Sequence, residues 1–304
     1  MTATLTAWTI ERYGAPEVLN QVTRLVPAPG PTEILIRIRA SAVTRADGMM
    51  RAGQPVFARP FLGFRRPRCN LLGTGLSGEV IAVGDNVARF AVGDAIFGEA
   101  GLKFGANASH ICLDEGGVLM TKPTELSYEE AAVMCDGPLT SLHFLETVAG
   151  LKPGERVLIL GGSGSLGSAA VQIAKTMGAH VTATCSTRNV DLLLSLGADR
   201  VIDYTAEDAL SGNGKHDVIY DTLGLASFRK AARALVPEGR YVCSVLSLTL
   251  LGAMLRTGLV GRRKAKFSAA GLQKPAVLRP LLTRLVSLIE NRSLVPLLDR
   301  TYPL

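Results

Sequence analysis

The stretch Gly161-Gly162-Ser163-Gly164-Ser165-Leu166-Gly167 carries the strongest chemical signal in this sequence, with Gly162, Gly164 and Gly167 spaced as G-x-G-x-x-G. Glycines at that spacing let the chain turn tightly and bring its backbone against a pyrophosphate. They also aim the free N–H groups of a helix start at the negative charge. A side chain at Gly164 would push the phosphates away. The spacing alone is common, and its surroundings give it weight. Arg156-Val157-Leu158-Ile159-Leu160 reads as a buried strand before the turn. After it, Leu166, Ala169, Ala170, Ile173, Ala174 and Met177 recur at helical spacing. Gly162, Ser163, Gly164, Ser165, Leu166 and Gly167 are therefore the expected phosphate cradle.

The residues around the adenosine ribose follow from chain distance. Sites for NAD place an Asp or Glu about 20 residues beyond the turn, to bond the ribose hydroxyls. Here Thr182–Thr187 contains no acid, and the chain continues as Ser186-Thr187-Arg188. Hydroxyls and a guanidinium suit a 2′-phosphate, which a carboxylate would repel. The expected cofactor is NADPH (NADP+) rather than NADH. A solvated Arg188 at a helix start is the ordinary alternative.

The elements that position these residues fall into two rhythms. Residues 1–123 are rich in short strands and turns, such as Glu33–Ala40, Gly78–Asp85 and Val92–Gly98. They predict a barrel-like β domain. Residues 124–296 alternate strand and helix: a helix from Leu166, a strand at His180–Thr184, a helix near Asn189–Leu196 and a strand near Arg200–Asp203. A strand at Asp217–Tyr220, a helix near Ala226–Leu235 and a strand at Arg240–Val245 follow. That alternation predicts a parallel sheet covered on both faces.

Bulk properties narrow the class. Hydrophobic residues at 47% and charged residues at 19% suit a globular chain and exclude long disorder. The net charge of +7 suits an anionic small ligand. The five cysteines are dispersed, with no C-x-x-C pair, and Met1–Thr6 has no signal-peptide character; reduced thiols and a cytoplasmic location are expected. The apolar run Tyr241–Leu255 stops at Arg256, short of the ~20 residues that span a bilayer. It reads as a buried strand followed by a loop or short helix. The basic cluster Arg256, Arg262, Arg263, Lys264 and Lys266 lacks interleaved aromatics and sustained amphipathicity, so it reads as a solvated loop without nucleic-acid or membrane contact.

With these residues in place, the chain resembles the zinc-free quinone oxidoreductase branch of the medium-chain dehydrogenase/reductase superfamily. The likeness covers nearly the whole chain. It rests on Tyr13-Gly14-Ala15-Pro16-Glu17-Val18-Leu19, on Val83-Gly84 through Val92-Gly93-Asp94 to Phe97-Gly98, and on Leu139-Thr140-Ser141-Leu142. Leu196-Gly197-Ala198-Asp199, Val201-Ile202-Asp203-Tyr204 and Asp221-Thr222-Leu223-Gly224 complete it. The resemblance implies an α/β protein: a GroES-like β-barrel-type domain over residues 1–123, and a Rossmann doubly wound parallel sheet over 124–296 that binds NADPH. Completion of the first domain is expected to begin near residue 297 and to be cut short at Leu304, which would leave an incomplete cleft.

The resemblance further implies hydride transfer to a quinone or to the β-carbon of an enone, in a cleft between the domains. Thr140 is expected beside the nicotinamide, and Thr222 and Leu223 near its ribose. Val245 joins this cofactor set, as does Tyr204 beside the adenosine, with core packing as the alternative for that tyrosine. On the substrate side Tyr13 either faces the substrate or caps a strand turn. Thr44, where many relatives carry Asn, can donate one hydrogen bond to a substrate carbonyl. A catalytic zinc is not expected: Gly73-Thr74-Gly75 stands where zinc-dependent relatives have Gly-His-Glu, and Ser41–Thr44 offers no Cys. His143 reads as structural, and the role of His110 stays open. Relatives are often dimers, which makes a homodimer the oligomer to test. The competing functions are a non-catalytic NADPH-binding sensor or interaction protein, and an alcohol dehydrogenase.

Overall fold

Alternation of apolar and charged residues along Glu33–Ser41 makes a strand that buries Ile34 and Ile36 and leaves Arg37 exposed. The computed structural model, which describes residues 3–304, builds a sheet around it. In chain order the first elements are β1 (Thr4–Ile10), β2 (Leu19–Leu25), β3 (Glu33–Ser41), α1 (Arg45–Arg51) and α2 (Arg59–Leu62). They continue as β4 (Gly75–Val83), β5 (Ala95–Glu99), β6 (His110–Asp114), β7 (Val118–Thr121) and α3 (Tyr128–Ala132). Strands β6-β3-β4-β5-β7 form an antiparallel sheet of GroES-like type, with β1 and β2 paired as a separate ribbon. Ile34, Ile36, Leu76, Ile96 and Leu119 fill its core. These elements belong to one compact unit that runs through Asp136 and also takes in Lys274–Val286 and Leu298–Leu304.

The second unit comprises Gly137–Gln273 and Ser287–Leu297. It opens with α4 (Gly137–Leu142), which runs on into a π-helical segment, His143–Ala149. Then come β8 (Arg156–Leu160), α5 (Ser165–Thr176), β9 (His180–Cys185), α6 (Val190–Ser195), β10 (Arg200–Asp203), β11 (His216–Asp221), α7 (Phe228–Ala234) and β12 (Leu235–Cys243). The chain finishes through α8 (Leu248–Leu259), β13 (Lys264–Phe267) and α9 (Pro275–Glu290). The six strands run parallel in the order β10-β9-β8-β11-β12-β13. This is the doubly wound Rossmann order, whose direction reverses between β8 and β11. Open parallel sheets take their ligands at the carboxyl ends of the strands flanking such a reversal. The chain after α9 returns to α5, where Gln172 accepts from the Val295 N–H at 2.9 Å and donates to its carbonyl at 3.1 Å.

The basic cluster differs from its expected solvated loop. Arg256 lies on α8, while Lys264 and Lys266 lie on β13, the edge strand of the parallel sheet. Their polar ends reach backbone carbonyls, Lys264 that of Thr257 at 2.6 Å and Lys266 that of Val148 at 2.7 Å. Burial pulls the Lys266 ammonium below its ordinary pKa. Long aliphatic stems allow this, because they cover apolar surface while the charge finds oxygen. No helix among the described residues is long and apolar enough to cross a membrane.

Candidate functional site

The glycine turn emerges from the carboxyl end of β8, and the neighbouring strand β9 holds it. Thr184 accepts from the Gly161 N–H through Oγ1 at 3.0 Å and from the Gly162 N–H through its carbonyl at 2.7 Å. Gly164 is the N-cap of α5, and no side chain caps that helix. With a glycine at the N-cap and no acid in the first turn, the helix start presents the positive end of its dipole. Two glycines explain the spacing. A Cβ on Gly167 would stand 2.1 Å from the Gly161 carbonyl oxygen, so that position must stay bare for the turn to close on the helix. A Cβ on Gly164 would meet nothing nearer than the same oxygen at 3.6 Å, and the residue is exposed. The fold leaves Gly164 room, and an approaching anion would occupy it.

Several expected residues meet around this turn. Thr222 lies under it and donates to the Leu160 carbonyl at 2.7 Å, and the Leu223 side chain packs where a Cβ on Gly161 would be, 2.8 Å away. Val245 packs beneath Gly224 of the same loop. Asp221 organises that loop. Its carboxylate, fully buried, accepts from the N–H groups of Leu223, Gly224 and Ala226 at 2.8–3.0 Å and from the Tyr241 hydroxyl at 2.8 Å. α4 packs on the start of α5, where Ser141 donates to the Leu166 carbonyl at 2.7 Å, and Thr140 is half-buried on the same helix.

At the end of β9 the arrangement contains something the chain distance did not announce. Arg188 is exposed, but Thr187 donates to the carboxylate of Asp203, the last residue of β10. Asp203 also accepts from the Thr205 N–H at 2.9 Å and hydroxyl at 2.7 Å, and these bonds hold its carboxyl below the usual range. An acid thus stands beside Ser186-Thr187-Arg188 after all, supplied by the neighbouring strand. Asn189 is a second residue that sequence reasoning missed; its Nδ2 donates to Ser163 Oγ at 3.0 Å. Its position next to Arg188 was the available signal. Tyr204 is 60% exposed, which removes core packing as the alternative for it.

The two hydroxyls expected on the substrate side are engaged within the first unit. Thr44 caps α1: its Oγ1 accepts from the Ala46 N–H and donates to Asp47 Oδ2 at 3.0 Å. That differs from the expectation of a donor ready for a substrate carbonyl, because a threonine has one hydroxyl proton and Asp47 takes it. Burial raises the Asp47 carboxyl, although Thr44 and the Gly73 N–H donate to it. Tyr13 donates to the Gly63 carbonyl at 2.8 Å beneath the Arg59 guanidinium. His143 bonds Ser268 Oγ through Nε2 at 2.8 Å, and His110 lies 3.0 Å from Ser109 Oγ. No group of three or more His, Cys, Asp or Glu side chains among the described residues is arranged to hold a metal ion.

Two stretches of the chain match known domain families. Residues 30–134 match the alcohol dehydrogenase GroES-like domain, and residues 196–304 match a family described as zinc-binding dehydrogenase. The NAD(P)H oxidoreductase RTN4IP1, mitochondrial, of Mus musculus is 31% identical over 330 residues, covering 98% of this chain and 83% of the relative. The 2-methylene-furan-3-one reductase of Solanum lycopersicum is 31% identical over 284 residues, with 89% and 71% covered. Among solved structures, the quinone oxidoreductase of Coxiella burnetii superposes with a TM-score of 0.85 at 27% identity, over 98% of this chain and 91% of its own. The Escherichia coli quinone oxidoreductase complexed with NADPH gives 0.78 at 25% identity, over 96% and 89%.

Proposed function

Since this chain belongs to the quinone oxidoreductase branch of the medium-chain dehydrogenase/reductase superfamily, and is an NAD(P)H-dependent oxidoreductase of that type, we propose that it takes NADPH and reduces a quinone or an α,β-unsaturated carbonyl. One observation carries the proposal: the uncapped start of α5 with open space at Gly164. That cradle fits a pyrophosphate, which would sit against the backbone from Gly162 to Gly167 with Ser163 and Ser165 beside it.

The nicotinamide supplies the hydride chemistry when bound, so the protein's work is to hold and orient. Ser186, Thr187 and Arg188 would bond the 2′-phosphate, and exposed Tyr204 would cover the adenine. Thr140, Thr222, Leu223 and Val245 would line the nicotinamide end. In this scheme the Thr222 hydroxyl keeps its bond to Leu160 and offers a lone pair rather than a proton. Tyr13 and Thr44, with their protons engaged, would shape the substrate side rather than donate to it. A cytoplasmic location is part of the proposal, supported by five free cysteines among the described residues; a homodimer is proposed from the family resemblance alone.

The test is steady-state oxidation of NADPH with 1,4-benzoquinone and with a short enone. Turnover of either is the expected result. Tight NADPH binding without turnover of a quinone or enone panel would instead assign a non-catalytic NADPH-binding protein.

A further inference from the structure

Helix α8 is apolar on two opposite faces. Its inner face packs Leu250, Ala253 and Met254 against the core around Ile219 and Tyr241. Its outer face carries Leu248, Leu255 and Leu259, exposed by 69%, 72% and 87%, and Val260 follows them. With Gly252 in the intervening place, positions 248, 252, 255 and 259 stack at helical spacing into one stripe. Scattered exposed leucines need no explanation, but a continuous stripe does. A helix apolar all round belongs in a buried setting, and this one has only half of it.

The charge around the stripe has one sign. From Tyr241 to Gln273 the chain holds Arg256, Arg262, Arg263, Lys264 and Lys266 and no Asp or Glu at all. Arg256 lies exposed on α8 between Leu255 and Leu259. Arg262 has a single 3.4 Å ion pair, with Glu238, and both groups are more than 70% exposed, so the pair neutralises little. The carbonyls that accept from Arg263, Lys264 and Lys266 leave their charges uncancelled. Leucines bordered by cations with little acid to offset them are the pattern of a helix lying in the headgroup layer of an anionic bilayer, with apolar side chains at the acyl boundary and cations on phosphates. A second copy of the chain fits less well, because it would bring the same cations and no acid from this segment to meet them.

We propose that α8 and the turn after it, Val260–Arg263, dock this protein on anionic phospholipid surfaces without spanning them. The readout is binding, independent of turnover, so its failure would leave the enzymatic proposal untouched. The full chain is co-sedimented with phosphatidylcholine vesicles and with vesicles that also contain phosphatidylserine. Sedimentation with the second kind, weakened by salt, is expected. Arg256→Gln and Arg262→Gln should each weaken it about fivefold. Leu255→Ser combined with Leu259→Ser should weaken it at least about tenfold, since each loses the burial of a large apolar side chain. These side chains are exposed, so the melting temperature and NADPH binding should stay unchanged. Sedimentation indifferent to phosphatidylserine, or indifferent to the leucine pair, overturns the proposal. So does light scattering in which the leucine pair turns a dimer into a monomer while neither form binds vesicles; that result would assign the stripe to a protein interface.

Discussion

The Thr187 hydroxyl donates a 2.5 Å hydrogen bond to Oδ2 of Asp203, tying the turn after β9 to the last residue of β10. Strand register brings them together, since Asp203 pairs with Cys185, two residues before Thr187. In the proposed site the adenosine end would therefore hold a cation and an anion with opposed preferences. Arg188 favours a 2′-phosphate, whereas Asp203 favours ribose hydroxyls and repels that phosphate.

Substituting the two residues in turn separates these preferences. Arg188→Ala should raise the Kd for NADPH about tenfold or more, the scale of a lost charge-assisted hydrogen bond, with little change for NADH. Asp203→Asn should lower the Kd for NADPH several-fold. Fluorescence titration with both cofactors measures each. An equal loss of both cofactors in Arg188→Ala would show that Arg188 does not touch the 2′-phosphate. A loss of NADH alone in Asp203→Asn would make Asp203 a ribose ligand.

The glycines of the turn divide into one that the fold needs bare and one that only the proposed ligand would need bare. Gly167→Ala forces a methyl to 2.1 Å from a backbone oxygen, so the turn must shift. A drop in melting temperature is expected, equivalent to about 1–3 kcal/mol as for an overpacked core. Gly164→Ala has room in the folded chain, and should keep the wild-type melting temperature while weakening NADPH binding at least about tenfold, because the methyl stands where the pyrophosphate approaches. Normal cofactor affinity in Gly164→Ala would remove the anion cradle from the turn.

Glu99, at the end of β5, links the first unit to pH. Burial, and then the charge of Asp136, push its carboxyl from the ordinary 4.5 up to about 7. Between those values the folded chain holds a proton that the unfolded chain has released. The stability this contributes is full below pH 4.5 and is lost as pH rises through about 7. The loss amounts to about 3–4 kcal/mol at about 1.4 kcal/mol per pKa unit. Glu99→Gln should therefore match the wild type near pH 4.5 and melt higher at pH 8. His216 acts in the opposite sense. Burial lowers it to about 4, so its neutral ring loses stability for the fold as pH falls from 6.5 towards 4. Superimposable pH–melting profiles for Glu99→Gln and wild type would sink the assignment to Glu99.

By itself the sequence determined what depends on near neighbours. The strand–turn–helix around Gly161–Gly167, the alternation of strand and helix after it, and the family motifs spread along the chain were all legible, because side-chain periodicity and glycine spacing act over a few residues. Tertiary structure alone decided which hydrogen-bond partners the site residues find. Distance along the chain could not show that β10 delivers Asp203 to Thr187, or that Asn189 reaches back to Ser163. Nor could it show that the hydroxyl protons of Thr44, Tyr13 and Thr222 go to the fold's own oxygens. The same limit applied to α8. The sequence showed an apolar run over Tyr241–Leu255, but only packing could bury one face of the helix and leave the other as a stripe beside Arg256. A polar or apolar group is settled by what lies across from it, and register and packing choose that neighbour.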